Sequence, residues 1–100
     1  MRLAVTAAVF LAAASAAQAA GTQANFAAAL SAAQAAENEA GALKNQWTAT
    51  EQTLAAAKYK AADGNFDAAI AYARQAEALA KASIAQAKEQ ETAWRAAVIH

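Results

Sequence analysis

A single corner, Asp63-Gly64-Asn65, interrupts a proline-free chain made almost entirely of helix formers. From Thr22 onward alanine, glutamine, glutamate and lysine dominate, and β-branched residues are few. Gly64 is free to take the left-handed conformation that closes a helix. Asn65 can cap the next helix, with Asp67 in its first turn facing the positive end of the dipole. Gly41 lies inside a periodic stretch and costs about 1 kcal/mol without ending the helix. The spacing therefore predicts an all-α fold over residues 20–100: helix one at about 23–62, a turn at 63–65, and helix two at about 66–97. A connection this short forces the two helices antiparallel, an alanine-rich coiled-coil hairpin.

The side-chain pattern supports the pairing. Phe26, Ala33, Ala40, Trp47, Leu54 and Ala61 recur every seven residues on helix one, and Phe66, Ala73, Ala80, Ala87 and Trp94 on helix two. Folding at Gly64 brings them together as Ala61/Phe66, Leu54/Ala73, Trp47/Ala80, Ala40/Ala87 and Ala33/Trp94. An intervening layer sets Leu43 opposite Ile84 and Ala57 opposite Ile70. A large residue against a small one lets helices approach closely without voids.

Two helices bury little, however. Ordering costs about 1.5 kcal/mol per residue, and alanine burial recovers only a small part of it. The hairpin is thus expected to be marginal alone and completed by a partner or by self-association. A second apolar track, Ala69, Tyr72, Ala76 and Leu79, lies beside the seam on a face that helix one cannot fully cover.

The first nineteen residues read as an address. Arg2 gives a positive start, Leu3 to Ala14 is an uncharged apolar run, and Ala17-Gln18-Ala19 is an A-x-A cleavage pattern. The run is shorter than the ~20 residues needed to span a bilayer. Residues 1–19 are therefore expected to be a cleaved signal peptide, and the rest a secreted protein with no membrane association after cleavage.

Composition narrows the chemistry. Eight basic and eight acidic residues balance without clustering, so there is no footprint for nucleic acid. Cysteine is absent and His100 is the only histidine, which leaves no disulfide framework and no transition-metal set. Glu37, Glu39, Glu51, Glu77, Glu89 and Glu91 are expected along polar faces, with Glu51/Lys58 and Glu77/Lys81 solvating a helix. Asp63 and Asp67 flank a glycine without the further oxygen ligands of a calcium loop. Ser31 and Ser83 have no histidine base, and no phosphate-binding loop is present. The chain is read as a non-enzyme without cofactor or metal. The large side chains Trp47, Tyr72, Leu79 and Trp94 are the partner-contact candidates, because tryptophan and tyrosine anchor interfaces.

Gly64-Asn65-Phe66-Asp67-Ala68-Ala69-Ile70-Ala71-Tyr72-Ala73-Arg74-Gln75-Ala76 matches the first-helix consensus of a tetratricopeptide repeat. An array needs at least three repeats, and one is present. The same segment here follows Trp47-Thr48-Ala49-Thr50-Glu51 and precedes Ala76-x-x-Leu79-Ala80 and Gln86-Ala87-x-x-Gln90. In that setting, over about Gln46 to Gln90, the chain resembles the SoxXA-binding protein family, SoxK. Many members of related families are lipoproteins, and this chain lacks their cysteine. The resemblance implies a periplasmic accessory protein, without haem of its own, that binds the c-type cytochrome complex SoxXA and supports thiosulfate oxidation in the sulfur-oxidising (Sox) system. The competing expectation is structural: an alanine-zipper envelope protein or a self-associating, homo-oligomeric periplasmic spacer.

Overall fold

The computed structural model describes residues 21–99; the expected signal peptide and His100 lie outside them. Among the described residues three helices make up the fold: α1 (Gln23–Ala42), α2 (Thr48–Ala62) and α3 (Phe66–Ile99). Thr22 starts α1 in an extended conformation and its hydroxyl accepts from the Asn25 N–H at 3.1 Å, satisfying one of the donors that a helix start leaves free. Asn65 does the same for α3, its side-chain oxygen accepting from the Ala68 N–H at 3.2 Å.

The expected helix one is two helices. It breaks at Leu43–Trp47, where Lys44 takes a left-handed conformation with φ of 57°. The Lys44 N–H donates to the Gly41 carbonyl and the Asn45 N–H to the Ala40 carbonyl, both at 2.9 Å. This is the paired closure of a Schellman end. The corner after α2 repeats it: Gly64 has φ of 80°, its N–H donates to the Ala61 carbonyl, and the Asn65 N–H donates to the Lys60 carbonyl. Two side chains hold the first corner in place. Asn45 Nδ2 donates to the Ser83 carbonyl at 2.7 Å, and Gln46 Nε2 reaches back to the Glu37 carbonyl at 3.2 Å. A Cβ at Gly41 would lie 2.7 Å from that Gln46 nitrogen. A larger residue at Gly41 would therefore displace the Gln46 amide from its bond to the Glu37 carbonyl.

Because of this corner α1 runs parallel to α3, and α2 antiparallel to it. At the start of α1 the Gly21 N–H donates to Asp67 Oδ1 at 2.9 Å, and near its end Asn45 meets Ser83. Phe26 packs with Ala69, and Ala33 with Ala76, a constant offset between the parallel helices. Both shorter helices lie along α3 and scarcely touch each other.

Phe26, Ala33, Ala40, Leu54, Ala73 and Ala80 face inward as expected, but toward different partners, and the seam position Trp94 does not face inward at all. Ala33 is fully buried with Leu54 and Ala76, not against Trp94, which is 66% exposed. Leu43 sits at the corner, 39% exposed, while Ile84 is buried. At the lower end Ala61, Phe66, Ala57 and Ile70 share one cluster with Phe26 and Ala73, and the Phe26 and Phe66 rings lie 6.3 Å apart. The second apolar track is covered in part from within the chain: α1 lies on it and leaves Ala69 and Ala76 with no exposed surface, while Tyr72 and Leu79 stay half-buried. Ala40, Ala57, Ala73 and Ala80 are equally sealed. Small residues at the contacts let three backbones come close, and Phe26 and Leu54 supply the bulk, each worth about 1.5–3 kcal/mol of burial. A third packed helix is the source of core that a two-helix rod lacks.

Candidate docking surfaces

The bulky side chains that an alanine frame cannot bury are where its apolar surface stays open to water. Trp94 and Val98 stand on the last turns of α3, 66% and 59% exposed, and every residue from Lys88 to Val98 is exposed. The cause is length. At ~1.5 Å per residue, the 34 residues of α3 outrun the 20 of α1 and the 15 of α2. Trp94 continues the inward series Ala73, Ala80 and Ala87 past the point where α1 and α2 end. Trp47, Tyr72 and Leu79 are half-buried. Tyr72 and Leu79 are seven residues apart on one flank of α3, and Trp47 lies at the α1–α2 corner. The four candidates therefore form no single patch. Tyr59, 69% exposed near the lower end of α2, is a further large exposed side chain.

Two depressions accompany them. Along α1 runs an open groove of about 640 Å³ lined by Phe26, Leu30, Gln34 and Asn38, with Lys58 of α2 also lining it. It exists because α1 and α2 hardly meet. A smaller crevice of about 340 Å³ lies where the corner residues Leu43 and Lys44 approach Ala87, Lys88 and Glu91.

The interior holds a polar layer that the sequence reading put elsewhere. Glu37, expected on a polar face, is 1% exposed, and Thr50 and Ser83 are fully buried. Ser83 Oγ donates to the Ala80 carbonyl at 2.8 Å. Both Glu37 carboxylate oxygens and Thr50 Oγ1 lack a partner. Burial, with the neighbouring Glu51 carboxyl adding to it, raises the Glu37 pKa from 4.5 to about 7. A charge here would be desolvated and faced by another acid, so the neutral form is favoured. The signal was present in the sequence: Glu37 follows Phe26, Leu30 and Ala33 at helical spacing, on the seam side of α1.

Three ion pairs lie along the helix surfaces, and the expected Glu51/Lys58 pair is not among them. Glu77 and Lys81 bridge at 2.9 Å, Glu91 and Arg95 at 3.5 Å, and Lys88 reaches Glu39 on α1 at 3.8 Å. Among the described residues no three acidic, histidine or cysteine side chains converge as a metal site, and no helix is long and apolar enough to cross a membrane.

Compared with protein-family models, curated proteins and solved structures, the chain matches none.

Proposed function

We propose that this chain is an exported periplasmic accessory protein that docks on the c-type cytochrome complex SoxXA and supports thiosulfate oxidation, acting by binding and not by chemistry of its own. The partner comes from the resemblance of Gln46–Gln90 to the SoxK family. One observation carries the docking reading. The stretch bearing the motif folds as α2, the Gly64 corner and most of α3, with Trp47, Tyr72 and Leu79 each left partly uncovered on it. Aromatic side chains held on a rigid frame lose little freedom on binding, which favours them as anchors, and Leu79 adds apolar area one heptad from Tyr72. Trp94 lies beyond Gln90, outside the matched stretch.

The test is capture. The chain is expressed with its own leader, purified after export, and passed over the periplasm of a thiosulfate-oxidising host. A haem protein should be retained, recognised by its absorbance, and Tyr72→Ala or Leu79→Ala should reduce the amount. Full recovery of the bait with no haem in the eluate overturns the reading.

A further inference from the structure

Beyond the corner of α1 and α2, α3 carries its core-facing stripe into solvent. Ala87 is half-buried, while Trp94 and Val98 are largely bare. Glu91 and Arg95 border this stripe on one edge, four residues apart, and bridge each other at 3.5 Å. Gln90, Ala93 and Ala97 border the other edge.

We infer that two copies of this chain pair through these tails, antiparallel, about a two-fold axis at the level of Ala93. Three features fit this occupant. First, α1 and α2 lie on the same side of α3 as the stripe, so a parallel copy would run its bundle into the first. An antiparallel copy puts the two bundles at opposite ends and gives each tail the place that α1 and α2 vacate. Second, the charges are complementary. With the axis at Ala93, Arg95 of one copy stands level with Glu91 of the other, and the reverse, on the same edge of the contact. The two Trp94 rings then lie about 3 Å apart in height. Third, Val98 of one copy comes level with Lys88 of the other, beside the crevice where Leu43 is 39% exposed against Ala87. The contact spans only Ala87 to Val98 on each copy, fewer residues than the roughly 20–30 a side of a standard interface, so the dimer is reversible.

This pairing goes beyond the cytochrome reading and does not depend on it. The test contains no cytochrome: sedimentation of the exported chain over a wide concentration range. A monomer–dimer equilibrium is expected, and Trp94→Ala should weaken it about tenfold or more. Glu91→Arg alone sets arginine against arginine, and Arg95→Glu alone sets glutamate against glutamate, so each should be monomeric. Mixed together, these two variants should form a heterodimer. The arginine introduced by the first substitution then faces the glutamate introduced by the second, while the native Arg95 of the first variant faces the native Glu91 of the second. A wild-type chain monomeric at every concentration overturns the inference. So does a dimer indifferent to Trp94→Ala, or a mixture that fails to associate.

Discussion

Glu37 on α1 and Glu51 on α2 set one sealed carboxyl against one exposed carboxyl where the two shorter helices approach each other. Neither Glu37 oxygen meets a donor, so a proton on Glu37 is the group able to bond the Glu51 side chain. On α3 the facing residues at this height, Ala80 and Ser83, carry no charge, and Glu77 a turn below is occupied by Lys81 at 2.9 Å. Fixing a proton here ties α1 to α2 where few apolar contacts do so. A buried, partly satisfied polar layer specifies register at some cost in stability.

The cost depends on pH. The native state holds the Glu37 proton up to pH about 7, while the unfolded chain releases it near 4.5. Between these values the native state binds more protons, so this contribution is fully present below about 4.5, falls as pH rises toward 7, and is lost above it. Glu37→Gln removes the titration. It should flatten the stability profile over that range and raise stability at pH 8 by about 2 kcal/mol relative to wild type. Urea unfolding at a series of pH values checks both outcomes, and an unchanged pH slope in the variant would exclude Glu37 as its source.

The two corners make a matched pair of predictions. Lys44 and Gly64 occupy equivalent positions with φ of 57° and 80°. A side chain in this region is strained, and glycine is not. Lys44→Gly should therefore stabilise the fold by about 0.5–1 kcal/mol, and Gly64→Ala should cost about 1 kcal/mol. Thermal melts of the two variants should move in opposite directions.

That comparison explains what the sequence conveys and what it hides. Gly64 announces its corner because glycine favours the required conformation. Lys44 gives no such notice, and the heptad from Phe26 to Leu54 runs through the break without losing phase. Phe26, Ala33, Ala40 and Leu54 thus read correctly as inward-facing, while their partners did not follow. Once α1 turns back, Ala33 meets Ala76 and not Trp94. The uncovered track at Ala69 and Ala76 was the available warning, since it asked for a helix that a two-helix hairpin does not have. Residue type singles out Trp47, Tyr72, Leu79 and Trp94 as contact candidates, but their exposure depends on helix lengths, which the hidden corner sets.

The tail of α3 should be energetically separate from the bundle. Its residues are exposed from Lys88 onward, so little tertiary burial holds it and its amides should exchange early. At a concentration where the chain is monomeric, Trp94→Ala should shift stability by less than about 0.5 kcal/mol, as for other surface substitutions. A larger loss, measured by urea unfolding, would place Trp94 in the core.

The three-helix packing is most directly tested at the layer of Ala33, Leu54 and Ala76, one residue from each helix. Leu54 is 4% exposed, and Leu54→Ala should cost about 3 kcal/mol through lost burial and the cavity left behind. Ala76 has no exposed surface, so Ala76→Leu should overpack the same layer and cost about 2 kcal/mol. Together the two changes conserve the volume of the layer. The double variant should then be at least about 1 kcal/mol more stable than the sum of the single losses predicts. Strict additivity would mean that Leu54 and Ala76 do not share a layer. A near-neutral Ala76→Leu would mean that α1 does not cover this face of α3, and that the chain is open where the bundle should be closed.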